Sequence, residues 1–324
     1  MKKFAKTYPF VVVLLVMTIA FAILSPSFLE WGNISNILKQ ASLLGFVALG
    51  MCFVLIVGGL DLSVGSVVAF SSVLITGLSA TLPPIFGIHV ALLIGTLIGV
   101  ANGYFISVFR FQPIIVTLSS MAIVRGLAMA YSDSRPIFGT LPDDVFFLAD
   151  GIVLGLPVPA LLFLALGAIS MVFLRFTALG RQMYQVGGNE EAARLAGVNV
   201  ARVKITTYAI SGFLSSVAGL VLVARMQSGE AVRTGIGWEL DAIAAAAIGG
   251  VSLMGGIGTI LGAVCGAFII GMMANAFNLL GINPYWQRIV IGLVLAIAVA
   301  SYSKGSVNRL FTDFRSSRIR RKSA

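Results

Sequence analysis

The sequence predicts an all-α integral membrane protein, a polytopic helix bundle of about ten transmembrane segments, some broken or short, with a trace of two pseudo-symmetric halves. Two observations carry this expectation. The 324 residues are 58% hydrophobic and only 10% charged, and the mean hydropathy of +1.02 lies outside ordinary soluble composition. Apolar runs of the length a bilayer requires, about 17–25 residues, also recur along nearly the whole chain. The 36 glycines suit close helix packing in lipid, and runs such as Gly262-Ala263-Val264-Cys265-Gly266 read as packing faces rather than phosphate loops.

Crossing segments are expected at residues 8–25, 41–59, 62–81, 88–108, 114–131, 159–176, 205–224, 257–280 and 285–302, with a shorter tenth at 241–254. Residues 1–324 then form one transmembrane domain with a cytoplasmic loop at 177–204 and a basic cytoplasmic tail at 303–324. With the N-terminus inside, the inner segments hold 16 of the 22 Lys and Arg residues, among them Lys2, Lys3, Lys6 and seven in the tail. The positive-inside rule supports that orientation and puts both termini in the cytoplasm. A basic start, an apolar run and Ala20-Phe21-Ala22 also resemble a signal peptide. The apolar run from Phe10 to Leu24 is at the long limit for such a peptide, which favours an uncleaved first helix.

Composition excludes several classes. The net charge of +10 comes from basic residues that flank apolar runs, so it points to the lipid bilayer and not to nucleic acid. Cys52 and Cys265 lie inside apolar stretches and His89 is the single histidine, so neither a disulfide framework nor a Cys/His zinc site is expected, and no metal site. There is no H-E-x-x-H and no G-x-S-x-G, and none of the seven lysines follows a glycine, as a phosphate-binding G-x-x-x-x-G-K-[ST] loop demands. An enzyme is not expected, and any ATP chemistry belongs to another chain.

Taken in order, the first unusual stretch is Gly58-Gly59-Leu60-Asp61-Leu62-Ser63-Val64-Gly65-Ser66, which interrupts two apolar spans without room for an ordinary loop. Broken backbone at that depth persists only where protein or water satisfies its polar groups, and such breaks often line a transport path. Asp61 then has two readings, a cap for the following span or a contact for the solute. Asn102, Gln112, Asn275 and Asn278 are polar groups in or beside spans, most simply interhelical hydrogen-bonding residues. Arg125 lies well inside a span and should face a cavity or a partner.

The stretch 189–197 has the grammar of a short capped helix. Asn189 is a good N-cap, Glu190 and Glu191 suit the positive end, and Gly197 is a natural stop. Ala192, Leu195 and Ala196 share an apolar face, and Ala193 lies between them. Two turns of helix are not stable alone in water, so the helix should dock, either on its own bundle and membrane or on another chain. Further on, Glu239 and Asp241 stand at the start of the short span, as helix-start carboxylates or as part of a charged outer rim for a soluble partner. The run Gly249-Gly250-Val251-Ser252-Leu253-Met254-Gly255-Gly256 repeats the outline of residues 58–65, which implies paired breaks in two related halves.

Glu191-Ala192-Ala193 followed by Gly197 resembles the cytoplasmic EAA loop of permease subunits in ATP-binding-cassette (ABC) importers. "LIVGGLDLSVGSVVAF" (55–70) and "WELDAIAAAAIGGVSLMGGIGT" (238–259) are similar to stretches of the ribose-type sugar permeases of bacterial binding-protein-dependent importers. "QPIIVTLSSMAIVRG" (112–126), "ALGRQMYQVGGNEEAARLAGVNV" (178–200) and "SGFLSSVAGLV" (211–221) match in order. The resemblance implies a bacterial inner membrane and a monosaccharide substrate, ribose or a related sugar. It implies a cytosolic ABC ATPase carrying ATP and Mg, a periplasmic or extracellular sugar-binding protein, and a second permease copy or a homologous permease. It assigns residues 189–197 to coupling with the ATPase. The alternative from the residues is an ion-coupled secondary transporter, which would use intramembrane charges such as Asp61 and Arg125.

Overall fold

The structure is a computed structural model and describes residues 9–139, 141–283 and 285–297. Lys2, Lys3, Lys6, the last residues of the 285–302 stretch and the basic tail 303–324 lie outside the described residues.

The elements follow as α1 (Pro9–Leu24), a 3-10 turn at Pro26–Leu29, α2 (Trp31–Ile56), α3 (Val64–Ser79), α4 (Pro84–Ser107) and α5 (Pro113–Ser132). Next come β1 (Ile137–Phe138), α6 (Asp143–Asp150), β2 (Ile152–Val153), β3 (Leu156–Pro157), α7 (Val158–Phe176), α8 (Ala178–Gly188) and α9 (Glu190–Leu195). The chain continues through α10 (Val200–Met226), β4 (Ser228–Gly229), α11 (Trp238–Ile248) and α12 (Ile260–Leu279), and α13 spans Tyr285–Ile297. The protein is therefore all-α, with two minimal antiparallel ladders: β1 on β4, with Ile137 opposite Gly229, and the β2–β3 hairpin.

Each expected crossing stretch contains a helix, but their lengths differ. Among the described residues, six helices are long and apolar enough to cross a membrane: α2, α4, α5, α7, α10 and α12. α1 and α3 have 16 residues each, about 24 Å at 1.5 Å per residue, which is short of a hydrocarbon core of about 30 Å. α11 has only 11 residues, because the chain breaks at Gly249-Gly250 before the expected end at 254. α2 starts ten residues before the expected 41, since Asn33 is satisfied within the fold: its Nδ2 donates to Phe28 O at 2.8 Å and its Oδ1 accepts from Asn275 Nδ2 at 2.8 Å.

α2 and α10 form the centre, and 78% of the most apolar stretch of each is buried, against 17% for α5. The core around them is built from Phe46, Leu49, Met51, Phe53, Phe163 and Val217. Small residues set the closest approaches. A Cβ on Gly249 would overlap Gly262 O, and one on Gly266 would overlap Ala245 O, so α11 and α12 touch backbone to backbone. Residues 132–158 make no domain of their own. α6 buries Val145 and Ala149 against Leu74, Ile75, Leu220 and Val223, and Lys39 Nζ meets Asp150 Oδ1 at 2.7 Å.

Candidate functional site

The first break begins where α2 closes. Gly58 has φ +80, a conformation that costs an L-residue about 1–2 kcal/mol. Its amide donates to Leu55 O and that of Gly59 to Val54 O, both at 2.9 Å, the paired bonds of a glycine-terminated helix end. The freed Leu60 carbonyl accepts from Tyr208 Oη at 3.1 Å and Thr117 Oγ1 at 3.4 Å. α10 and α5 thus satisfy backbone that lipid cannot.

Asp61, 1% exposed, then organises the start of α3. One carboxylate oxygen accepts from the Ser63 amide at 3.1 Å and Ser63 Oγ at 2.6 Å, and the other accepts from Ser211 Oγ of α10 at 2.8 Å. Asn102 Nδ2 of α4 donates to Ser63 Oγ at 3.0 Å. Three helices are tied at one buried carboxylate whose two oxygens are both engaged by protein donors. Asp61 holds the amide and hydroxyl of Ser63, the residue at the N-cap of α3, while no side chain accepts from the amides of α3 itself. Sequence reasoning missed Ser211 and Tyr208, which the run of small residues in α10 disguises as generic packing.

Gly65, one residue into α3, presses on Gly235, and a Cβ on either would overlap the other's carbonyl oxygen. The chain between β4 and α11 therefore runs antiparallel along α3, from Gly229 against Ser72 and Thr76 to Gly235 against Gly65. Arg125 Nη1 holds this non-helical segment by donating to Ala231 O at 2.7 Å and Thr234 O at 2.6 Å. The intramembrane cation thus faces backbone carbonyls, as its burial requires. Glu239 and Asp241 do not stand on an exposed rim. Both are half-buried at the start of α11, where Arg125 and Arg288 attract Glu239 and Arg288 attracts Asp241. The reason is the inward path of residues 228–237, which partly covers them.

The second break repeats the first closure. Gly250 has φ +81, and the Gly250 and Val251 amides donate to Ala247 O at 2.9 Å and Ala246 O at 3.0 Å. Ser252 turns the chain through its own loop, its amide donating to Ile257 O at 2.8 Å and its Oγ accepting from the Met254 amide at 3.1 Å. Thr259, not Ser252, caps α12 by accepting from the Gly262 amide at 3.1 Å. The two breaks meet: the Gly256 amide donates to Ile56 O at 2.9 Å, and a Cβ on Gly58 would lie 3.6 Å from Met254 O.

α8 and α9 seat on this junction. A Cβ on Gly187 would overlap Ile56 O and lie 2.7 Å from the Gly256 nitrogen, and one on Gly256 would lie 2.8 Å from Gly188 Cα. Tyr184 Oη donates to Gly258 O at 2.9 Å, and burial, with Cys52 beside it, pushes the phenol up to about 12, so it remains a donor. Directly after Gly188, Asn189 caps α9 by accepting from the Ala192 amide at 2.9 Å. Gly197, at φ +82, closes it with the Val198 amide donating to Ala193 O at 3.0 Å. Glu190 pairs with Arg194 at 3.1 Å and Lys204 at 2.6 Å, and Glu191 with Arg194 at 3.2 Å. Ala193 faces inward, while Ala192, Leu195 and Ala196 face outward, Leu195 at 82% exposure. Among the described residues no group of three or more His, Cys, Asp or Glu side chains is placed to hold a metal ion.

Comparison with known proteins gives the family. Residues 33–299 match the family described as branched-chain amino acid transport system / permease component. The ribose import permease protein RbsC of Haemophilus influenzae is 41% identical over 292 residues, 89% of this chain and 90% of the relative. The protein of the same name in Bacillus subtilis is 42% identical over 288 residues, 88% and 89% of the two chains. The L-arabinose transport system permease protein AraH of Escherichia coli is 43% identical over 300 residues, 90% and 89%. No solved structure matches at a significant level. The chain therefore belongs to this permease family as a ribose-type ABC permease, a multi-pass inner-membrane transport component rather than an enzyme.

Proposed function

We propose that this chain forms the membrane path of an ATP-driven importer for a monosaccharide, ribose or a related sugar, delivered by a periplasmic or extracellular binding protein. The observation that carries the coupling is the position of α9. Its apolar face, with Leu195, points away from the bundle, and its N-cap follows Gly187-Gly188, which touch Ile56 of α2 and Gly256 of the second break backbone to backbone. A force on α9 reaches Ile56 and Gly256 without passing through a flexible side chain. Asn189, Glu190, Glu191, Ala192, Ala193, Leu195 and Gly197 serve as the docking element for a cytosolic ATPase, which holds the ATP and Mg.

In this reading all ten stretches pass through or into the bilayer, residues 1–324 are one domain, and both termini are cytoplasmic. The distribution of Lys and Arg supports that orientation. The path is completed by a second permease copy or a homologous permease. The sugar assignment rests on the relatives, whose names specify ribose and L-arabinose. An ion-coupled carrier has less support, because Asp61 and Arg125, the intramembrane charges it would use, are engaged by protein groups.

Copurification tests the coupling role. Glu191→Arg and Gly197→Pro should abolish recovery of an ATPase with the chain while membrane insertion is retained. Undiminished recovery with both variants contradicts it.

A further inference from the structure

A cavity of about 200 Å³ lies among α2, α11, α12 and α13, lined by none of the Asp61 cluster. Four helices contribute, and the polar lining comes from three of them: Gln40 of α2, Trp238 and Asp241 of α11, and Gln287 of α13. Leu44 and Ile270 supply apolar wall. At Gly271 α12 packs directly on α2, where a Cβ would lie 2.7 Å from the Ala41 Cβ.

The polar groups around it are unspent. Among the described residues, the side chains of Gln40, Asp241 and Gln287 and the indole N–H of Trp238 form no hydrogen bond within the chain. All four side chains are half-buried, and their polar atoms, not taken up by the protein, are open to water or to a ligand in the hollow. Asp61, by contrast, has both carboxylate oxygens engaged by protein donors.

We infer that this cavity is a binding site for one monosaccharide ring on the translocation path, with Gln40, Asp241 and Gln287 hydrogen-bonding the hydroxyls and Trp238 offering its ring face. The inference rests on the sugar-importer reading above and adds the residues that handle the sugar. Two amides provide donors and acceptors, a carboxylate accepts from two hydroxyls, and an indole presents an apolar face with a polar edge. Sites for drug-sized ligands run to roughly 300–1,000 Å³, so this smaller space suits a single ring. Charge favours a neutral ligand. Arg288, the cation that balances Asp241, stands over Gly237, its Nη1 3.1 Å from where a Cβ would sit. It does not line the cavity. A zwitterionic amino acid would leave its carboxylate without a facing cation.

The test uses the complete importer, the chain with its ATPase and binding protein, in proteoliposomes given labelled D-ribose, L-arabinose or L-leucine. Asp241→Asn and Gln287→Leu should each lower pentose uptake about tenfold or more, the range expected for losing hydrogen bonds to a charged or buried group. Trp238→Phe should keep most uptake and Trp238→Ala should lose it, with ATPase assembly unchanged throughout. Because a variant can misfold, Ala274→Cys in the cavity wall provides a second readout: saturating pentose should slow its reaction with a small charged thiol reagent several-fold. Pentose uptake at the wild-type rate in both polar variants, or labelling of Ala274→Cys that pentose leaves unchanged, overturns the site. A wild-type importer that moves L-leucine and no pentose overturns the sugar assignment itself.

Discussion

The two helix breaks close alike and are held differently. α2 and α11 both end on a glycine near φ +80, Gly58 and Gly250, with the same pair of closing amide bonds. After that turn they diverge. The first break restarts as α3 six residues after Gly58 and is locked by Asp61 to α10, with Asn102 of α4 on Ser63. The second takes ten residues from Gly250 to reach α12, and its polar residue, Ser252, bonds only within its own loop. The letters align Gly58 with Gly249, but the backbone pairs Gly58 with Gly250, and the same closure ends α9 at Gly197 and α12 at Gly281, so the shared ending is a general helix stop. The lesson is that the first break is held by a carboxylate reaching across helices, whereas the second is held through its backbone, by the Gly256 amide on Ile56 O and by Tyr184 on Gly258 O.

Breaking the lock should cost most. Asp61→Leu strands the hydroxyls of Ser63 and Ser211 in an apolar interior, and at about 1–3 kcal/mol per buried unsatisfied group the loss should reach about 3 kcal/mol or more. Transport should vanish, and the detergent-solubilised protein should melt far below the wild type. Asp61→Asn keeps one acceptor and should fall between the two in the same melting experiment. Wild-type stability of Asp61→Leu would mean the lock is not one.

Next in size, Gly187→Val drives a side chain into Ile56 O and Gly256. Overpacking of this kind costs about 1–3 kcal/mol, but its sharper effect should be functional. ATPase copurification should persist while ATP-driven uptake drops, because α9 is intact and its seat is displaced. Thr259→Ala removes the cap of α12 and should lower stability by about 1 kcal/mol. Ser252→Ala, losing one local bond to the Met254 amide, should lower it by about 0.5–1.5 kcal/mol, measured as a small shift in melting temperature. If Ser252→Ala proves as damaging as Asp61→Leu, the contrast between the breaks fails.

Much of this could be read in the sequence where the signal is local. The caps of α9 are there in Asn189 and Gly197, and the long spans follow from hydropathy. The positions of both breaks follow from glycine pairs inside apolar runs. What could not be read is what crosses long separations through small side chains. Ser211, 150 residues from Asp61, looks like any serine in a membrane helix. Gly187 looks like a flexible joint, and only its contact with Ile56 and Gly256 makes it a seat. The stretch 228–237 reads as an outer loop because it is polar and glycine-rich. Arg125 draws it inward along α3, and Glu239 and Asp241, which follow it, are half-buried.

The central claim is that α9 receives an ATPase and passes its motion to the two breaks. The most direct measurement is labelled D-ribose uptake into proteoliposomes holding the chain, its copurifying ATPase and the binding protein, with Leu195→Asp as the variant because Leu195 is the most exposed apolar residue of α9. The account predicts uptake that requires ATP inside the vesicles, ignores proton and sodium gradients, and is lost in Leu195→Asp together with the ATPase. Uptake that follows an ion gradient without ATP, or that Leu195→Asp leaves intact, would contradict it.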